Sequence, residues 1–232
     1  MIIDFQFYLL PETDVWDIKP QDSLKVIRYL KSRNIEKIFC SPAIRSEFSQ
    51  NTNEFLQQQF NAFRELYGSE MGMKLAAKYR MDEEYMNHLT NDKLLTVGGN
   101  HLLVDVSPIT KPDNLWEMIE ATVAKGYTPV LVQPERYEYC HMEDFVQFRD
   151  CGCKLMMNLY SLAGYNGQAA LHYSIMLLQK EMYSYITSGI EDKKSMRYTE
   201  DFEIGDKGMK KKFERLIENN NILWEKTINT NC

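Results

Sequence analysis

The residues of this 232-residue chain that could do chemistry are five cysteines, four histidines and a thin scatter of carboxylates. Cys40-Ser-Pro-Ala-Ile-Arg45 resembles the nucleophile loop of cysteine-dependent phosphatases. Such loops need a longer Cys-to-Arg spacing, and glycines that let backbone N–H groups cradle phosphate; neither is present. Cys40 therefore reads as a buried cysteine at a strand end. Cys151-Gly-Cys153 is a single pair with no second pair at ligand spacing, so it reads as a helix-to-strand turn around Gly152 rather than a metal clip. His88, His101, His141 and His172 all fall away from the C-terminal ends of predicted strands. A hydrolase with a multinuclear metal centre needs several His, Asp and Glu side chains converging on one mouth. The spacing here does not supply them, and surface or internally satisfied histidines are expected.

The elements that must position these groups repeat a short apolar run followed by an amphipathic stretch. Strands are predicted at 1–8, 37–40, 74–79, 102–106, 128–132, 154–158 and 184–188. Helices are predicted at 21–33, 52–67, 82–88, 114–125, 142–150, 168–181 and 209–218. Gly68, Gly126 and Gly152 stand where helices should stop. Alternation of this kind predicts a parallel sheet with helices outside, and at this length it favours a closed α/β barrel. Barrel active sites lie at the C-terminal ends of the strands. The chain reads as one domain over 1–232, with a polar loop over 191–212 before a C-terminal helix.

Composition narrows the function classes. The net charge of −6 argues against a nucleic-acid partner, which would call for a basic surface. No apolar run approaches the roughly 20 residues needed to cross a bilayer. The first ten residues have no basic region and no small-residue cleavage site, so they read as a strand rather than a signal peptide. Five cysteines without a disulfide framework fit a reducing cytosol.

Several segments, in order and with consistent spacing over about residues 1 to 195, resemble one family. The strongest is Lys125-Gly-Tyr-Thr-Pro-Val-Leu-Val-Gln-Pro-Glu-Arg-Tyr137. Ala76-Ala-Lys-Tyr-Arg-Met-Asp-Glu83, Asn158-Leu-Tyr-Ser-Leu-Ala-Gly-Tyr165 and the opening Asp4-Phe-Gln-Phe-Tyr-Leu-Leu-Pro11 accompany it. Together they are similar to bacterial tyrosine phosphatases of the polymerase-and-histidinol-phosphatase (PHP) type, which act in capsule and exopolysaccharide biosynthesis. The resemblance implies a distorted seven-unit (βα) TIM-like barrel and, in active members, two or three manganese, iron or zinc ions.

The departures fall on the ligands that the resemblance implies. Gln6 and Tyr8 replace the first two histidines, and Val15 stands in an Asp-Asp-Gly that keeps only Asp14. Ala43 replaces a histidine, Lys78 the bridging glutamate, and Gln133 the histidine before Pro-Glu-Arg. Gly189, with Glu191 after it, stands where an Asp-x-His should be. A protonated lysine cannot coordinate a metal, but it can replace positive charge. The chain is therefore expected to be a pseudo-phosphatase with no metal cofactor, binding rather than hydrolysing, and the resemblance implies a tyrosine kinase or another polysaccharide-biosynthesis component as partner. Lys78 should point into the old pocket, bonded to Glu191, Asp4 or Asp14, with Tyr8 and Gln133 filling volume. Arg136, Lys78, Asp4 and Asp14 are the candidate anion or ligand contacts. The rivals are an active phosphatase with a rebuilt centre, and a structural protein with a plugged pocket.

Overall fold

The computed structural model describes residues 2–13, 18–190, 196 and 203–226. Its strands are β1 (Ile2–Gln6), β2 (Ile35–Cys40), β3 (Ala43–Ile44), β4 (Gly72–Leu75), β5 (Lys78–Arg80), β6 (His101–Asp105), β7 (Thr128–Val132), β8 (Lys154–Asn158) and β9 (Tyr183–Thr187). Its helices are α1 (Pro20–Ser32), α2 (Asn53–Tyr67), α3 (Tyr85–Asn91), α4 (Leu115–Ala124), α5 (Met142–Asp150), α6 (Leu159–Leu162), α7 (Gln168–Gln179) and α8 (Lys207–Lys226). Every strand pairing is parallel, in the orders β1-β2-β4 and β3-β5-β6-β7-β8-β9.

The two sheets are one curved wall with a step in it. β2 passes into β3 across Ser41-Pro42, and β4 into β5 across Ala76-Ala77. Proline has no N–H to give a ladder, so a break falls naturally at Pro42. The strand expected at 74–79 is thereby divided. Seven strand positions remain, and side chains bridge the seam between the first and the last. The Thr187 hydroxyl donates to the Phe5 carbonyl at 2.8 Å, and the Asn220 amide donates to the carbonyls of Ile3 and Ile186 at 3.0 and 2.7 Å.

The barrel interior is apolar and contiguous. Phe5, Phe39, Leu103, Val130 and Met156, one from each of five strands, pack with Leu223 and Trp224 of α8. Phe5 stacks on Phe39, whose ring meets Trp224 edge-on, both with centroids 5.1 Å apart. Larger clusters lie between the wall and its helices.

Three expectations on element limits need correction. The polar loop was expected to run to Lys212, but α8 begins at Lys207, because the Asp206 carboxylate accepts the Met209 N–H at 2.7 Å and caps the helix. α8 also continues past Glu218 to Lys226, since Leu223 and Trp224 bury themselves in the barrel floor. The short helix expected at 82–88 begins at Tyr85 instead, because Asp82 turns its carboxylate to the N–H groups of Ser46 and Glu84.

Candidate functional site

The C-terminal strand ends carry three polar clusters. The first joins β1 to β9. The Asp4 carboxylate, buried midway along β1, accepts the Ser188 N–H at 2.8 Å, the Ser188 hydroxyl and the Gln6 amide. Burial raises the Asp4 pKa, and the Ser188 and Gln6 bonds act against that rise. Gln6 thus spends its amide on a neighbouring carboxylate.

The second cluster is built on the strand formed by β4 and β5. The Lys78 side chain is buried and points into the mouth, where its ammonium lies 3.4 Å from the Asp105 carboxylate. It sits over the rings of Phe7 and Tyr8, at 4.6 and 5.5 Å from their centroids. Arg80 projects from the same face two residues on. Its Nε approaches the other Asp105 oxygen at 3.2 Å. Burial pulls the Lys78 pKa down, and the Asp105 charge, helped by Tyr8, more than offsets it. The group therefore stands above an ordinary lysine and is charged at neutral pH. Ala43 lies directly opposite Lys78 in the β3–β5 register.

The third cluster lies beyond β7 and β8. Gln133 adopts the left-handed conformation at φ 57°, and its side-chain carbonyl accepts from Arg136 at 2.7 Å. Arg136 is half-buried, whereas the neighbouring Glu135 is buried. The Glu135 carboxylate accepts the Asn158 N–H at 3.0 Å and the Tyr183 hydroxyl at 2.9 Å. Burial raises its pKa against those bonds. Gly189 has φ +73°, and a Cβ placed there would fall 2.1 Å from the Asn158 side-chain oxygen. No side chain, ligand or otherwise, fits at 189 unless Asn158 moves.

Lys78 is thus inside the mouth, but the carboxylate that meets it is Asp105 rather than Asp4, which is already committed to Ser188 and Gln6. Asp14, Val15 and Glu191 lie outside the described residues. Gln133 is buried and accepts its bond from Arg136. Sequence reasoning passed over Asp105 and Arg80. The signal for Asp105 was an acid closing the apolar strand Leu102-Leu103-Val104 at the face where barrel chemistry sits. The signal for Arg80 was a second cation on the Lys78 face.

The histidines are placed elsewhere. His88 pairs with Asp92 at 2.6 Å, His101 meets Tyr185 edge-on near the floor, His141 stands at the start of α5, and His172 lies on α7. Cys40 is fully buried and burial drives its thiol pKa far up, so it is no thiolate nucleophile. Cys151-Gly152-Cys153 is a turn, with Gly152 at φ +92° and the Cys153 N–H on the Phe148 carbonyl at 2.9 Å.

The metals that the resemblance implies can be tested against these donors. Hard and borderline cations want converging carboxylates and imidazoles. At the matched positions stand carboxamides, a phenol, a methyl group, an ammonium and a glycine. Asp105 faces two cations, and both oxygens of Asp4 accept bonds. Among the described residues no three His, Cys, Asp or Glu side chains are grouped to hold an ion. Among the described residues, these donors do not fit a polynuclear metal centre.

Comparison with known proteins gives a consistent picture. Residues 2–224 match a family model described as capsular polysaccharide synthesis, CpsB/CapC. No curated protein matches. Among solved structures, the chain is similar to one reported with YwqE from Bacillus subtilis and CpsB from Streptococcus pneumoniae, described as unique metal-dependent tyrosine phosphatases. That likeness has a TM-score of 0.82 at 19% identity, over 97% of this chain and 95% of the other. The lactonase Lmo2620 from Listeria monocytogenes gives 0.58 at 8% identity, over 96% and 94%. An organophosphorus hydrolase variant from Deinococcus radiodurans gives 0.50 at 8%, over 96% and 92%. At these identities the structural likenesses speak for the fold, an α/β architecture of parallel strands like that of the phosphatase.

Proposed function

Because the chain belongs to the CpsB/CapC family of capsular polysaccharide synthesis, we propose that it is a phosphatase-like binding protein that no longer hydrolyses its ligand through metals. The observation that carries the reading is the Lys78 ammonium, buried in the mouth and held by Asp105 at 3.4 Å. A fixed cation there supplies positive charge at no cost in coordination, and it excludes a second cation from the same space. The ligand that suits the mouth is a phosphotyrosyl segment of a cytosolic tyrosine kinase or of another polysaccharide-biosynthesis component. Arg136 at the rim has a planar fork that matches phosphate geometry, and Arg80 adds a second guanidinium beside Asp105. Among the described residues, no side chain in the mouth is set up as a nucleophile. Ser188 directs its hydroxyl at Asp4, and the nearby Cys40 thiol is fully buried.

Elemental analysis of protein purified without chelator, together with calorimetric titration of a phosphotyrosyl peptide, tests this. The expected result is no stoichiometric iron, manganese or zinc, no turnover with added Mn²⁺, and saturable binding weakened about tenfold by Arg136→Ala. Two or three bound metal equivalents with turnover lost in Asp4→Asn would instead establish a rebuilt catalytic centre. Absence of both metal and peptide binding would point to a plugged, purely structural mouth.

A further inference from the structure

A deep cleft lies away from the mouth. It encloses about 1040 Å³ on the flank beside α2 and α3, and the edge of β4 at Met73, Lys74 and Leu75 lines it. Among the described residues, no strand pairs with that edge. β4 ends the three-stranded sheet, and β6 pairs with β5 above it.

Backbone alternation shows what the edge presents. The Ala76 N–H donates to the Cys40 carbonyl at 2.9 Å and the Lys78 N–H to the Pro42 carbonyl at 3.0 Å. Residues 74, 76 and 78 therefore turn their peptide groups toward β2 and β3. The odd-numbered residues turn theirs the other way. Tyr79 faces β6 in the ladder, and the Ala77 N–H reaches the Leu95 carbonyl at 3.2 Å. Below them, the N–H and C=O groups of Leu75 and Met73 face the cleft.

Two hydrogen bonds fix the cleft walls relative to each other. The Asn53 amide on α2 donates to the Lys93 carbonyl at 2.7 Å, and the Leu95 N–H donates to the Tyr79 hydroxyl at 2.9 Å. The charge of the lining reverses that of the chain. Arg64 and Lys93 are the lining's exposed cations, Glu54 is exposed, and Asp92 is already paired with His88, while Lys74 spends its ammonium on the Trp224 carbonyl. The whole chain has a net charge of −6.

We propose that this edge receives an extended acidic segment of a partner protein as an added strand. Main-chain bonds to Met73 and Leu75 would give the affinity, and the exposed Arg64 and Lys93 would select the charge. The site is separate from the mouth and does not depend on what binds there.

The test uses the full chain and a fluorescein-labelled hexapeptide of alternating glutamate and valine. Fluorescence anisotropy is expected to show saturable binding, and amide exchange at Met73 and Leu75 is expected to slow when the peptide is present. Arg64 and Lys93 are exposed, so the Arg64→Glu/Lys93→Glu double variant should keep its circular dichroism and bind about tenfold more weakly. The same peptide N-methylated at alternate residues should lose binding, because methylation removes the ladder donors. Equal binding of the methylated peptide would reduce the effect to charge adsorption and overturn strand addition. Protection confined to the mouth, or no saturable binding, would also overturn it.

Discussion

The two ends of the barrel use polar groups in opposite ways. At the floor, Asn220 of α8 is buried and fully engaged. It donates to Ile3 and Ile186 carbonyls and accepts the Ile186 N–H at 3.3 Å. Around it Leu223 and Trp224 close the apolar interior, and the Lys74 ammonium lies 4.1 Å from the Trp224 ring centre while donating to its carbonyl at 2.7 Å. At the mouth, Lys78 and Arg80 share one carboxylate, and neither Arg80 Nε nor the Asp105 oxygen facing it makes a well-aligned hydrogen bond. At the floor the Asn220 seam is fully bonded, while the mouth keeps electrostatic capacity unspent. In a barrel that is the division expected between a face that stabilises and a face that meets ligands.

The largest effects should come from the floor. Trp224→Ala removes the ring that meets Phe39 and opens a cavity under five strands, which should cost about 3–5 kcal/mol. Urea unfolding should show it as a drop in midpoint without a change in slope. Asn220→Ala should follow at about 2–3 kcal/mol, because it leaves the Ile186 N–H and two carbonyls buried without partners. A loss below about 0.5 kcal/mol for Asn220→Ala would mean that water replaces the amide and that the seam is not sealed by it.

The mouth should behave differently. Lys78→Met leaves Asp105 with Arg80 alone, so it should cost about 2 kcal/mol, less than the 3–5 typical of stranding a buried charge. Removing both partners, in Lys78→Met/Asp105→Leu, should recover most of that loss, because a well-packed apolar pair avoids the desolvation cost. A double-mutant cycle measures this directly. If the double variant were less stable than either single one, the mouth would be a structural seal like the floor, and the contrast would fail.

Much of this molecule was legible in the sequence, for local reasons. β7, α5 and β8 fall where apolar periodicity and the Gly126 and Gly152 stops put them. The features that were not legible depend on contacts between distant segments. Three consecutive asparagines, Asn219 to Asn221, look like a helix end, yet α8 runs through them because Asn220 finds partners on two strands. The break between β4 and β5 faces Pro42 across the sheet, and there the Ala77 N–H turns to the carbonyl of Leu95, a partner that no local pattern at 74–79 encodes. Position 78 was readable as an inward cation, but its partner was not. That choice depends on which carboxylate the neighbouring strand brings level with it, and β6 places Leu103 opposite Lys78 and Asp105 opposite Arg80.

The smallest expected effect is a pH dependence that belongs to the floor. His101 opens β6 and packs edge-on against Tyr185, with ring centroids 5.8 Å apart. Burial lowers its pKa to about 4, with the Lys226 and Lys154 charges adding to the shift. The unfolded chain takes up a proton near pH 6.5 and the folded chain only near 4. Between those values the unfolded state binds more protons, so stability falls as pH falls through this window. Above about pH 6.5 the ring is neutral in both states and contributes no slope. The ring is partly exposed, so solvent screening reduces the loss to about 1–2 kcal/mol. His101→Phe keeps an aromatic ring against Tyr185 and cannot take a proton. Its unfolding free energy should therefore fall less steeply than that of the unaltered protein between pH 6.5 and 4. Parallel curves would show that His101 protonates without strain and that the floor near β6 is open to water.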